Sequence, residues 1–394
     1  MTDRPEIRGW CPGALRPMLS GDGLVVRIRP RGGRLSGVQV QGIARLAADF
    51  GNGLVDLSSR ANLQLRGVTE TTLPEVQQGL AGLGLLDETP EAEARRNIVV
   101  TPFWTEADPT QDAAEALAQA LAAPDAPLLP GKFGFALDCG PRPVLRHTPA
   151  DIRIERGANG RMLVRPDGAM TGAEADLDDL PMLAMILARW FVASGGVSGG
   201  RGRMAALLQS GQALPQRFRE ARASVMPPPP PPPPGPTRTG YLMGFAFGQL
   251  RAEVLEQLGS LGALRLTPWR MVLVEGLASP PRIESLILRA DDPLLRVVAC
   301  TGAPGCPQGL QPTRALARTL AAHVPEGGVL HVSGCAKGCA HPGPAAHVLI
   351  ATATGFLPLQ EARASDISAT TAPALPPHAL IARPGLAFEP SDAP

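Results

Sequence analysis

Pro227 to Pro234 form an unbroken run, followed by Gly235 and Pro236. Proline fixes φ and offers no backbone N–H, so this stretch is neither a helix interior nor a central strand. It predicts a stiff, solvated polyproline II linker over 226–237. The run divides a 394-residue chain, which is long for one core, into two halves.

The halves read alike. In the first, Leu24, Val26 and Ile28 alternate with Val25, Arg27 and Arg29, the period of a strand. Ser36 can cap a helix with Val40, Ile43 and Ala47 on one face, which Gly51 can end. Short strands Leu54–Ser58 and Leu63–Val68 follow, then a helical stripe of Leu73, Val76, Leu80 and Leu83. After the linker come a strand over Tyr241–Phe247, a stripe of Leu250, Val254, Leu258 and Leu261, strands Ala263–Leu266 and Met271–Val274, and a helix near Arg282–Arg289. Leu57–Val68 aligns over Leu266–Leu277 without a gap. The repeated β-α-β-β-α order indicates duplication.

The remaining segments pair as well. Strand Asn97–Thr101, helix Asp112–Ala122 and strand Gly134–Cys139 correspond to Leu294–Cys300, Pro312–Ala322 and Val329–Ser333. The fold class expected is therefore α+β and duplicated, each half a small β-α-β-β-α unit plus a larger α/β unit. The units run over 10–90, 95–222, 238–292 and 293–365, with a flexible Ala- and Pro-rich tail over 366–394. A site where the halves meet is the natural expectation.

A net charge of +1, with few aromatics and no basic tract, gives no reason to expect nucleic acid or an anionic membrane surface. Arginine carries nearly all the positive charge, because Lys132 and Lys337 are the only lysines. No uncharged apolar run reaches the roughly 18 residues of a membrane span. The run around Leu180–Val192 contains Arg189 and reads as a packed helix. Met1–Gly9 is charged and lacks a signal peptide's apolar segment. A cytoplasmic location is expected, where thiols stay reduced, and six cysteines there suggest metal or catalysis before disulfides.

Four cysteines form a constellation. Cys300 and Cys306 make C-x5-C; after 28 residues, Cys335 and Cys339 make C-x3-C. Each pair follows a predicted strand in a Gly- and Pro-rich loop, whose N–H groups can approach sulfide and thiolate. Four thiolates are what a [4Fe-4S] cubane needs. Structural zinc prefers tighter pairs, and disulfides or idle thiols complete the alternatives. Cys139 reads as a small buried hydrophobe. Cys11, in W-C-P-G, reads equally as structural or as close to the site.

At these residues the chain resembles the nitrite and sulfite reductase superfamily, which holds a [4Fe-4S] cluster beside sirohaem. S-S-R-A at Ser58–Ala61, Arg96-Asn97-Ile98, and L-P-G-K-F-G at Leu129–Gly134 are similar to the family's T-R-Q, R-N-V and L-P-x-K-F-K segments. The resemblance implies that Arg60, Arg96 and Lys132 are the cationic, catalytic residues around substrate, and that Cys339 is the cysteine that bridges cluster and haem iron in that superfamily. Three positions depart from the pattern: Gly134 for the second lysine, Ala61 for the glutamine, and Lys337 for the asparagine between the last cysteines.

Within that superfamily, three segments resemble the precorrin-3B synthases of aerobic cobalamin biosynthesis. They are R-G-W-C-P-G-A-L-R-P-M-L-S-G-D-G-L-V-V-R-I-R-P at Arg8–Pro30, T-P-W-R at Thr267–Arg270, and A-C-T-G-A-P-G-C-P-Q-G at Ala299–Gly309. This implies a monooxygenase that uses dioxygen to hydroxylate precorrin-3A, with closure of a γ-lactone. Substrate carboxylates would meet Arg60, Arg66, Arg96 and Lys132, with Arg27 and Arg29 as weaker candidates. A four-cysteine cluster is coordinatively full, so oxygen binds elsewhere. A non-haem iron is one place for it, although His147, His341 and His347 form no evident ligand set. Lys337 would tune the cluster by its charge. The electron donor is external, with NADH acting through a separate reductase, since no G-x-G-x-x-G follows a strand. The alternatives are a sulfite or nitrite reductase that retains sirohaem, and a non-catalytic electron-transfer protein.

Overall fold

The computed structural model describes residues 11–224, 227, 229–369 and 373–389. The opening segment through Trp10, Val225, Met226 and Pro228 around the linker, and 370–372 and 390–394 of the tail lie outside the described residues.

The alternation at Gly23–Ile28 is a strand, antiparallel to Met18–Ser20 and to Leu63–Val68, which in turn pairs with Leu54–Leu57. Helix Gly37–Phe50 starts at Ser36, whose side chain accepts from Gln39 N while Gln39 Oε1 accepts from Ser36 N. This reciprocal box satisfies two otherwise orphaned donors. Val40, Ile43 and Ala47 are fully buried on its inner face. The second copy has strands Gly240–Phe245, Leu264–Leu266 and Met271–Glu275, with helix Ala252–Leu261.

Backbone irregularities repeat along with the elements. The tight turns Arg31–Gly33 and Ala246–Gly248 carry left-handed residues at equivalent places, Gly32 (φ 58) and Phe247 (φ 59). Ala61 (φ 52) and Arg270 (φ 60) are matched in the same way. Non-glycine residues rarely adopt this conformation, so its recurrence at aligned positions supports duplication independently of side-chain identity.

The copies exchange strands. Arg34–Leu35 pairs with Leu264–Leu266 of the second copy, and Gln249–Arg251 pairs with Leu54–Leu57 of the first. Helices Gly37–Phe50 and Ala252–Leu261 pack closely where Gly37 meets Gly259. A Cβ on Gly37 would sit 2.5 Å from Gly259 O. One hydrophobic core runs through both copies, from Val26 and Leu63 to Leu255 and Val272. Each fully buried aliphatic side chain there contributes about 1.5–3 kcal/mol.

The larger unit of the first half has a six-stranded sheet. Ile98–Val100, Phe135–Asp138 and Ile152–Arg156 run parallel, and three antiparallel strands complete it. Helices Thr110–Ala122 and Leu180–Ala193 pack against it. In the second half Val297–Ala299, Leu330–Ser333 and Ala345–Ala351 run parallel, with Phe356–Ala362 antiparallel at the edge. No helix among the described residues is long and apolar enough to cross a membrane.

Two sequence expectations need correction. The helix near Arg282–Arg289 does not form. Ser285 is left-handed (φ 70), and Leu286–Ile287 adds as a strand to Gly244–Phe245. The apolar spacing there imitated a helix, but it serves the sheet edge. The tail is not loose over 373–389: Leu375 bridges to Phe356, Pro377–Ala382 is helical, and Leu380 and Ala387 are fully buried. Two well-placed apolar side chains tie down a segment that its composition assigns to disorder.

Candidate functional site

Parallel strands Val297–Ala299 and Leu330–Ser333 end side by side, and each releases a cysteine loop at its carboxyl end. Ligands gather at such strand ends in open α/β sheets. Cys300, Cys306, Cys335 and Cys339 all line one cavity of about 250 Å³. All four are free thiols. Gly334 N donates to Cys300 Sγ at 3.1 Å, and a Cβ on Gly334 would crowd that sulfur at 3.3 Å. Among the described residues, no three His, Cys, Asp or Glu side chains converge closely enough for a single metal ion. Four thiols spaced around one cavity, with a backbone N–H aimed at sulfur, fit the donor set of an iron–sulfur cluster.

The first half closes this cavity. Gly305 O, inside the first cysteine loop, accepts from Ser20 Oγ (2.7 Å), Gly21 N (3.2 Å) and Arg66 Nη2 (2.9 Å). Arg66 is also held bidentately by Asp22 at 2.6 and 3.0 Å. The contact is tight: a Cβ on Gly21 would sit 2.1 Å from Pro304 O. Arg66 therefore lines the cysteine cavity with its guanidinium already engaged in joining the halves.

A second cavity, of about 740 Å³, adjoins the first. Arg27, Gln64, Cys300, Thr301 and Cys339 line both. The larger one falls in the range of small-molecule and cofactor sites. Its walls combine apolar rings, Trp269 and Phe247, with guanidiniums, Arg27, Arg270 and Arg314. Arg27 donates twice to Gln64 Oε1. Arg314 pairs with Asp56 at 3.2 Å. Arg270 is different: its hydrogen bond is one long contact to Val297 O (3.3 Å), and among the described residues no carboxylate pairs with it. Burial, and secondarily Arg314, pull its pKa down to about 10, so it remains a cation at neutral pH with unspent donors. Its left-handed backbone is held against strain, as happens at ligand-binding positions.

The other sequence-selected residues lie apart from this wall. Arg60 donates to Lys132 O at 2.9 Å, and its Nη1 is buried without a partner. Gly134 makes room for it, since a Cβ there would come within 2.9 Å of Arg60 Nη1. Cys11 shares this neighbourhood. Burial pushes its thiol up, but Arg27, Arg60 and Lys132 together bring it below the ordinary value. Arg96 is buried and fully engaged, bidentate to Asp87 and donating to Arg29 O. Arg29 pairs with Glu93 at 2.8 Å, and Glu93 accepts from Ala14 N and Leu15 N. Arg29 and Arg96 thereby pin the segment leading into the first strand. His341 lines the larger cavity, whereas His347 bonds to Gln360 away from it. Behind His341, its ring 5.7 Å away, stands the fully buried His331, and neither of its ring nitrogens has a partner.

Arg270 and Arg314 are what sequence reasoning missed. The T-P-W-R segment marked Arg270, but only the fold turns it toward the cysteines. Arg314 sits in an ordinary helical pattern, Arg314–Leu320, and carries no signal of its own.

Comparisons with known proteins bear on the family and the fold. Residues 16–83 match the family model of the nitrite/sulfite reductase ferredoxin-like half domain. A curated relative from Sinorhizobium sp., named precorrin-3B synthase, is 31% identical over 386 residues, covering 89% of this chain and 82% of its own length. The solved structure of the Mycobacterium tuberculosis NirA protein superposes with a TM-score of 0.63 at 16% identity, covering 88% of this chain and 79% of that one. The architecture is thus a nitrite/sulfite reductase-like α+β fold.

Proposed function

The chain belongs to the precorrin-3B synthase family, and from that premise we propose that it is an iron–sulfur monooxygenase acting on precorrin-3A. One atom of dioxygen enters the substrate as a hydroxyl at a meso carbon, and the other leaves as water. Two electrons from an external donor and two protons balance the step. The carboxyl oxygen of a neighbouring acetate then adds to a ring carbon across a double bond of the macrocycle, which takes up the carboxyl proton, and this closes the γ-lactone with no further redox change.

The observation that carries this reading is the shared wall of the two cavities. Four thiols line one, the other has the size and guanidinium lining a polycarboxylate ligand requires, and Cys300 and Cys339 border both. Cys300, Cys306, Cys335 and Cys339 would hold the [4Fe-4S] cluster, which supplies electrons one at a time. Arg27, Arg270 and Arg314 would take acetate and propionate arms, because guanidinium forks match carboxylates and stay charged. Trp269 and Phe247 would face the macrocycle and exclude water from it. Arg60 and Lys132, beside Cys11, would meet a further arm or a reduced oxygen species. Arg66 and Arg96 contribute by fixing the walls. A cytoplasmic setting fits four thiols kept reduced for ligation.

Anaerobic purification with a visible spectrum and iron, sulfide and porphyrinoid analysis tests the proposal. The expected result is a broad iron–sulfur shoulder without a Soret band, lost with the iron and sulfide in Cys300→Ser. Full iron and sulfide in that variant would sink the four-cysteine assignment. Extractable sirohaem would make the tetrapyrrole a prosthetic group and the protein a reductase.

A further inference from the structure

The proline run does more than connect the halves. Its two ends are fastened to different sheets. Ala221–Arg222 pairs with the larger unit of the first half, and Gly235–Pro236 pairs with Gly240–Phe245 of the second. Between them, Pro231, Pro232, Pro233 and Pro234 line the larger cavity together with Trp269 and the guanidiniums. Pro234 is buried.

We propose that Pro231–Pro234 form the outer wall of the tetrapyrrole cavity and position the macrocycle against the cysteine side. This rests on the function proposed above. The chemistry suits the task. Consecutive prolines present ring methylenes and no N–H donors, so they offer a macrocycle face apolar contact without competing for its carboxylates. Those arms would then find their cationic donors away from the prolines, at Arg27, Arg270 and Arg314, which orients the ligand. A polyproline II rod is also rigid before binding and loses little entropy when the ligand arrives. A flexible linker of equal length would span the same gap and lack both properties.

The test titrates precorrin-3A anaerobically into the full-length, cluster-loaded protein, following tryptophan quenching. Three variants are compared with wild type. One replaces Pro231–Pro234 by Gly-Ser-Gly-Ser, one changes Pro229 and Pro230 to Gly and Ser outside the cavity, and one is Pro232→Glu. The wall variant is expected to bind about tenfold more weakly, equivalent to roughly 55 Å² of lost apolar contact. The Pro229/Pro230 variant should bind as wild type does. Pro232→Glu keeps the rest of the rod and should bind at least as weakly as the wall variant, because its carboxylate repels the ligand's arms. Wild-type affinity in the wall variant and in Pro232→Glu would overturn the proposal, as would an equal loss in the Pro229/Pro230 variant. Wild type failing to bind precorrin-3A at all would instead overturn the functional reading and the wall with it.

Discussion

Arg66→Ala should weaken the joint between the halves before it touches substrate affinity. The side chain is about 6% exposed and makes charge-assisted bonds to Asp22 at 2.6 and 3.0 Å, with a third bond to Gly305 O at 2.9 Å. Truncation leaves Asp22 and Asp56, at 21% and 10% exposure, without this cation. Breaking such a buried pair from one side costs about 3–5 kcal/mol. Asp22 keeps some solvent and Asp56 keeps Arg314, so the lower end, about 3 kcal/mol, is the expected loss. Urea unfolding followed by tryptophan fluorescence would report it. Asp22→Asn in the same background should add little, because the partner is already gone. The cysteine loop should loosen as well, so iron content after a desalting step should fall faster than in wild type. If Arg66→Ala matched wild-type stability within about 1 kcal/mol while weakening precorrin-3A binding, Arg66 would be a substrate residue and the clamp incidental.

Three further outcomes are expected. Asp138 is buried, and burial raises its carboxyl to about 6 despite backbone bonds from Val144, Gly140 and Leu145. A raised carboxyl favours the fold most below the ordinary value of 3.8 and loses that advantage as pH climbs to about 6, at a cost of about 3 kcal/mol by linkage. Asp138→Asn should therefore flatten the stability profile between pH 4 and 6.5; a profile unchanged from wild type would refute the assignment. Gly37→Ala places a methyl 2.5 Å from Gly259 O at the helix crossing and should cost about 1–3 kcal/mol, read from the denaturation midpoint. Arg270→Met should weaken precorrin-3A binding about tenfold or more, the usual worth of a charged hydrogen bond, with iron and sulfide unchanged; undiminished binding would remove it from the site.

Much of the frame was legible because its signals are local. The Gly23–Ile28 alternation and the Ser36 cap each state their structure within a few residues. The strand exchange was not legible. Arg34–Leu35 and Gln249–Arg251 are too short to show periodicity, and their partners lie more than 190 residues away. Which arginines are already paired was not legible for a related reason. A sequence marks an arginine but not the carboxylate that claims it, as Asp87 claims Arg96 and Asp22 claims Arg66. Arg270 was marked by its motif but not singled out among the arginines, because what distinguishes it, the lack of a carboxylate partner among the described residues, exists only in three dimensions.

The exchanged strands bear on how such a chain can change. Two identical subunits trading those strands would form a two-fold dimer in which every residue appears twice, so any improvement at one site is imposed on its mirror image. Joined in one polypeptide, the copies keep the mutual grip and escape that constraint. Ala61 and Arg270 stand at the same strained backbone position, one a bare methyl, the other a guanidinium facing the cysteines. Only one copy is followed by the four-cysteine set. Fusion turned a symmetric scaffold into one with a front and a back, and a ligand with differently substituted edges needs that asymmetry.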